Sequence, residues 1–260
     1  MAPSTCSCLA LMYHEVLPGV PPKGADIYKL GEADFRAHIA AIREAIGAKP
    51  VGRVDAPDAW REPRPVFLTF DDGEQSAYTI VADLLESHGW RGHFFIVTDL
   101  TGGPGYLSAA QIRELDRRGH VIGSHTCSHP VPISICPPEE IARQWRESVK
   151  LLEDVVGHAV PAASVPGGYF SRRVADAAIG AGIRYLFNSE PRASTWRLGE
   201  CLVLGRYALR RGMGPQTAAG FASGRILPRW RQAALWNAKK LLKRANVRAY
   251  ERARQAILGA

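Results

Sequence analysis

The ordering of hydrophobic runs constrains this chain more than any other feature. Residues 8–14 (CLALMYH), 66–70 (VFLTF), 93–97 (HFFIV), 120–124 (HVIGS), 162–165 (AASV), 184–187 (RYLF) and 202–209 (LVLGRYAL) are short apolar stretches that read as strands. Between them, 31–47, 75–89, 108–119, 137–157 and 171–182 place apolar residues three and four apart and mostly end in glycine, which predicts helices. Such alternation predicts a parallel sheet flanked by helices. The number of repeats favours a distorted (β/α) barrel over an open sheet.

The length of 260 residues, with 46% hydrophobic and 22% charged content, suits one soluble α/β domain. The opening residues lack a basic leader followed by an apolar core, and no apolar run is long enough to span a bilayer, so a cytoplasmic location is expected. Five irregularly spaced cysteines read as reduced, mostly buried thiols. The net charge of +8 is concentrated at one end. From Arg225 onward ten Lys or Arg oppose one acid, Glu251, which leaves the first 224 residues close to neutral. The expected organisation is therefore a barrel over 1–224 and a basic amphipathic helical tail over 225–260.

In α/β folds the groups that do chemistry lie at the carboxyl ends of strands. Asp71 and Asp72 follow one run, His125 and His129 a second, Pro166 to Tyr169 a third, and His14 closes the first. Two histidines four apart fall on one side of a helical turn, and with one aspartate they make a two-nitrogen, one-oxygen set that leaves coordination positions open. A dication there would also offset the repulsion between adjacent carboxylates. Cys127 lies between the two histidines, and its side chain is expected to point away.

The segments LTFDDG (68–73) and SHTCSH (124–129) together resemble the first two motifs of the polysaccharide deacetylases, carbohydrate esterase family 4. The resemblance covers roughly residues 8 to 210. It implies a distorted (β/α) barrel and metal-dependent removal of N-acetyl groups from amino sugars, with Asp71 as base and Asp72, His125 and His129 as metal ligands. Zinc is the expected metal, although cobalt, nickel or iron also suits such ligands. Two segments depart from the family pattern. Val165 stands where the third motif has an arginine that orients the base, so Arg172 or Arg173 would have to reach back to Asp71, unless both are solvated residues opening a helix. The main-chain N–H of Tyr169, in the turn after Gly168, is the expected oxyanion donor. No histidine follows His158, and the general acid is expected to be His14, because LMYHEV resembles the N-terminal YH element of circularly permuted members. In a closed barrel the first and last strands are neighbours, which makes permutation harmless.

The expected substrate is an N-acetylated sugar or oligosaccharide. Hydrolysis of another C–N bond, in a cyclic amide or formamide, and a carbohydrate-binding module without turnover are the alternatives. In the tail, Trp230, Ala234, Ala238, Leu241, Ala245, Ala249, Ala253 and Ala256 form a stripe at helical spacing among basic residues. Either the stripe lies on an anionic membrane surface or the tail packs back on the barrel. Nucleic-acid binding is not expected, since the basic residues lack an aromatic stacking platform.

Overall fold

The computed structural model describes residues 6–245, with side chains as far as residue 237. The chain runs β1 (Leu9–Tyr13), β2 (Val16–Leu17), β3 (Leu30–Gly31), α1 (Glu32–Ile46), β4 (Val66–Phe70), α2 (Ala82–Ser87), β5 (Gly92–Ile96), α3 (Ala109–Arg117), β6 (Val121–Ser124) and α4 (Pro138–Val156). It continues through β7 (Ala162–Ser164), α5 (Arg172–Gly180), β8 (Tyr185–Phe187), β9 (Trp196–Leu198), β10 (Cys201–Leu204), β11 (Tyr207–Ala208), α6 (Pro215–Ala222) and α7 (Ile226–Ala245). The five helices expected between the strands all form. Local chemistry explains several ends: α3 starts at a Ser108–Gln111 capping box, and α4 stops at Gly157, whose φ of 82° is left-handed.

Nine strands form one curled sheet in the order β11-β1-β4-β5-β6-β7-β8-β10-β9, parallel throughout except for β9. The run at 202–209, read as a single strand, divides at Gly205 and Arg206. Its first half pairs with β8 and its second with β1, so one short stretch joins the two sides of the sheet and closes it. Gly205 is required at this joint, because a Cβ there would lie 2.3 Å from the carbonyl oxygen of Glu190.

Strand periodicity of two separates two cores and aims the site. Cys8, Ala10, Phe67, Phe95, Ala162, Phe187, Leu202 and Leu204 share the inner cluster. The alternate residues Leu9, Leu11, Tyr13, Leu68, Phe70, Phe94 and Ile96 pack outward against Phe35, Ile39 and Ile42 of α1 and Val81 and Leu85 near α2. Carrying the inner parity to the carboxyl end of each strand puts His14, Asp71, His125, Ser164 and Arg206 at one mouth. Gly123 leaves room for the interior, since a Cβ there would come within 2.6 Å of the Phe95 ring.

Two histidines without a role in the site support this frame. His93 Nε2 accepts from the Val54 N–H and Nδ1 donates to Leu68 O, while His120 Nδ1 accepts from the Gly92 N–H and Nε2 donates to Glu86. Burial pushes each ring down to about 4, so both stay neutral. Below the unfolded value near 6.5 the unfolded chain binds more protons, so stability is complete above that pH and is lost as pH falls toward about 4. Thermal unfolding followed by circular dichroism should show the midpoint dropping across this window, His93 alone accounting for on the order of 3 kcal/mol. A midpoint that stays flat from neutrality to the lower end would refute it.

Candidate active site

Asp71 is the first inward residue beyond β4. Its N–H donates to Tyr13 O at 3.0 Å, which sets it beside the end of β1. The side chain is 4% exposed, and burial alone would push its carboxyl up. Arg206, and after it His125, reverse that effect and hold the group well below the ordinary carboxylate range. Arg206 Nη1 donates to Asp71 Oδ1 at 2.7 Å and Nη2 to Oδ2 at 2.8 Å, a bidentate pair. The guanidinium is fully buried, and its remaining donors reach Asn188 O, Thr69 Oγ1 and Ser164 Oγ at 3.1, 3.1 and 2.7 Å. Five donors thus meet five acceptors, over the faces of Phe95 and Phe187.

The arginine that pairs with Asp71 is therefore neither of those expected. Arg172 is exposed and pairs with Asp176 one turn along α5, while Arg173 donates to Ser134 O. Both are helix-opening surface residues, and Val165 packs outward with Trp145 and Val174. Arg206 went unrecognised because it lies 135 residues beyond its partner. The available signal was a charged residue inside the apolar run LVLGRYAL.

Asp72, His125 and His129 converge as expected, with one ligand atom from each lying within 4.8 Å of the others. Asp72 Oδ1 is 3.5 Å from His125 Nε2 and 3.8 Å from His129 Nε2. His125 Nδ1 donates to Ser164 O at 2.8 Å, which leaves its Nε2 lone pair directed at the cluster, the arrangement of a metal-ligating imidazole. Burial, and then neighbouring His125, lower the affinity of His129 for a proton, so it too offers a lone pair. The donor set fits a divalent cation with open positions.

The histidines do not share a helical turn. The backbone leaves β6 as a loop in which Thr126 and His129 have φ of 68° and 54°, and Asp72 is also left-handed at 74°. Three non-glycine residues in this conformation, all in the two ligand loops, show a backbone held against its preference. Gln144 of α4 does part of the holding. Its Oε1 accepts from the N–H groups of Cys127 and Ser128, both at 2.9 Å, and its Nε2 donates to Ser128 Oγ. The Cys127 thiol points to Gln144 O, away from the ligand cluster.

His14 lines one pocket together with Asp71, Gly73 and Glu74, and its ring lies 4.4 Å from that of Tyr28. Its buried Nδ1 has no hydrogen-bond partner among the described residues. Burial, and then the charges of Asp72 and Glu15, push the Glu74 carboxyl up, so it stays protonated beside the aspartates. The oxyanion expectation needs correction. The N–H of Gly168 donates to Val165 O and that of Tyr169 to Pro166 O, so both are already engaged inside the turn.

Comparison with known proteins bears on the family and the fold. A family model described as polysaccharide deacetylase matches residues 59–186, the segment that holds Asp71, Asp72, His125 and His129. The chain belongs to the polysaccharide deacetylase family. This member is 32% identical over 124 residues to a chitooligosaccharide deacetylase of Sinorhizobium fredii, covering 45% of the chain and 54% of that relative. It is 23% identical over 189 residues to YxkH of Bacillus subtilis, covering 71% of the chain and 65% of YxkH. The chain thus spans less than two-thirds of the length of either relative. The Streptococcus pyogenes deacetylase PplD, solved in complex with acetate, shares the fold at a TM-score of 0.68 and 18% identity over 81% of this chain and 95% of that one. IcaB from Ammonifex degensii does so at 0.68 and 22%, over 84% and 97%. His14 and Arg206 lie outside the segment matched by the family model.

Two outcomes test the site in this family member. Replacing Arg206 by Met strands a buried carboxylate and should cost about 3–5 kcal/mol in urea unfolding, partly recovered when Asp71 is also changed to Leu. Arg172→Ala should stay within about 0.5 kcal/mol of wild type. In calorimetric titration with Zn2+ or Co2+, His125→Ala and Asp72→Ala should lose more than the roughly 10- to 100-fold typical of removing a ligand's hydrogen-bond partner. Undiminished affinity would break up the proposed ligand set.

Proposed function

We propose that the chain hydrolyses the N-acetyl group of an amino sugar in a glycan or glycoconjugate, giving acetate and a free amine. The observation that carries this reading is the adjacency of an ionised, arginine-fixed Asp71 to the Asp72, His125 and His129 cluster, with Asp71 Oδ2 3.9 Å from His125 Nε2. Family membership supports the reaction class.

Asp72, His125 and His129 would hold a divalent cation, most suitably zinc. Such a cation supplies Lewis acidity, polarising an amide carbonyl and acidifying water enough for a weak base to suffice. Asp71 fits the role of that base, because Arg206 keeps it charged and fixes the plane of its carboxyl group. Thr69 and Ser164 support the arginine, and the Ser164 hydroxyl also donates to Asp71 Oδ2 at 3.3 Å. His14 stands on the neighbouring strand end with Nδ1 unmatched among the described residues, and it is suited to carry the proton needed by the departing nitrogen. Its contact with the tilted Tyr28 ring limits its rotation. The sheet order supports this reading, since β1 lies between β11 and β4 and so its end, where His14 stands, is beside that of β4, where Asp71 stands.

The experiment is a panel of N-acetylated sugars assayed for acetate, with formate and ammonia measured in parallel. Acetate should dominate. Asp71→Asn should lower turnover by about 10³-fold while divalent-cation content is retained, and His14→Ala by about 10²-fold or more. Release of formate or ammonia alone would replace the N-acetyl reading with that of another C–N hydrolase, and wild-type turnover in His14→Ala would move the acid elsewhere.

A further inference from the structure

Helix α7 contradicts the simpler expectation for a terminal helix, which is to bury its apolar side. Its described part is tied to the barrel by polar groups as well as by the Trp236 ring. Gln232, 8% exposed, accepts from the Ala208 N–H through Oε1 and donates to Ala208 O through Nε2, pairing with β11 as another strand would. Arg229 donates to the Tyr207 hydroxyl at 2.7 Å and to Gly224 O. One turn on, the Trp236 ring reaches Gly168 at the rim of the site, within 3.2 Å of where a Cβ would stand.

The opposite face is apolar and turned to solvent. Ile226, Leu227, Trp230 and Leu235 are 78%, 74%, 68% and 63% exposed, and Ala234 is exposed among them. By helical rotation of 100° per residue, Ile226, Trp230, Ala234 and Leu227 span one stripe with Trp230 inside it, and exposed Arg231 stands at its edge beyond Leu227. Trp230 and Ala234 are the described part of the stripe read from the sequence. Side chains of Ala238, Leu241 and Ala245 lie outside the described set, as do residues Ala249, Ala253 and Ala256 altogether. A solvated helix does not need four large apolar side chains on its outer face.

We infer that this face docks on an anionic lipid bilayer, with Trp230 and its neighbours in the headgroup layer and Arg231 beside them on lipid phosphates. Charge complementarity selects this occupant. Residues 225–260 carry ten basic side chains against one acid, a surplus that opposes self-association and favours an anionic surface. Tryptophan beside arginine is also the composition of an interfacial anchor. No described helix is long and apolar enough to cross a membrane, so the contact is peripheral.

Flotation of the full-length chain with phosphatidylcholine vesicles, with and without phosphatidylglycerol, tests the inference without reference to sugar chemistry. The protein should float only with the anionic vesicles and be released at about 0.5 M salt, where screening is nearly complete. Leu227→Glu combined with Trp230→Glu should reduce the bound fraction about tenfold or more, with unchanged unfolding midpoint and Zn2+ affinity. Failure to float, equal flotation with neutral vesicles, or retention by the double variant would overturn it. So would a wild-type dimer in sedimentation that the variant turns into a monomer, since the face would then belong to a second copy.

Discussion

The pairing of Asp71 with Arg206 is the interaction on which the rest of the structure depends. A carboxylate at 4% exposure inside a barrel lined by Phe67, Phe95 and Phe187 is costly unless its charge is met at hydrogen-bond distance on both oxygens. Arg206 does this with a planar fork and uses every remaining donor on groups from β4, β7 and the segment after β8. A lysine could not satisfy so many fixed partners. The arginine is thus a structural hub as well as the orienting partner of the proposed base, and it stands where the sheet closes.

The backbone of the neighbouring loops reflects the same demand for position. Asp72, Thr126 and His129 adopt left-handed conformations normally left to glycine, and Gln144 secures the second loop through two main-chain bonds. Strain of this kind persists only where surrounding bonds over-determine the geometry. Its result is three donor atoms drawn together at the mouth.

Much of this was legible in the sequence because it is local or periodic. The apolar runs, the helical spacing of α1 to α5 and the motifs around Asp71 and His125 carry their information within a few residues, and the architecture follows from their order. Arg206 was hidden for the opposite reason. Its partner is distant in the chain, and its own run looked like an uninterrupted strand because nothing local reveals that Gly205 lets the chain change neighbours. The same limit applies to Tyr169, whose turn looked open until its N–H groups proved to be engaged, and to α7, where sequence periodicity found the stripe but could not say which way it faced.

Closure through residues 201–208 ties the chemistry to the order of synthesis. A nascent chain that has emerged only as far as β8 already contains His14, Asp71, Asp72, His125 and His129, yet it lacks the arginine that pairs with both oxygens of Asp71. The ring and the proposed base become competent in the same event, when β10 and β11 dock. A break in this short stretch would therefore take the arginine from the proposed base while leaving Asp72, His125 and His129 in place.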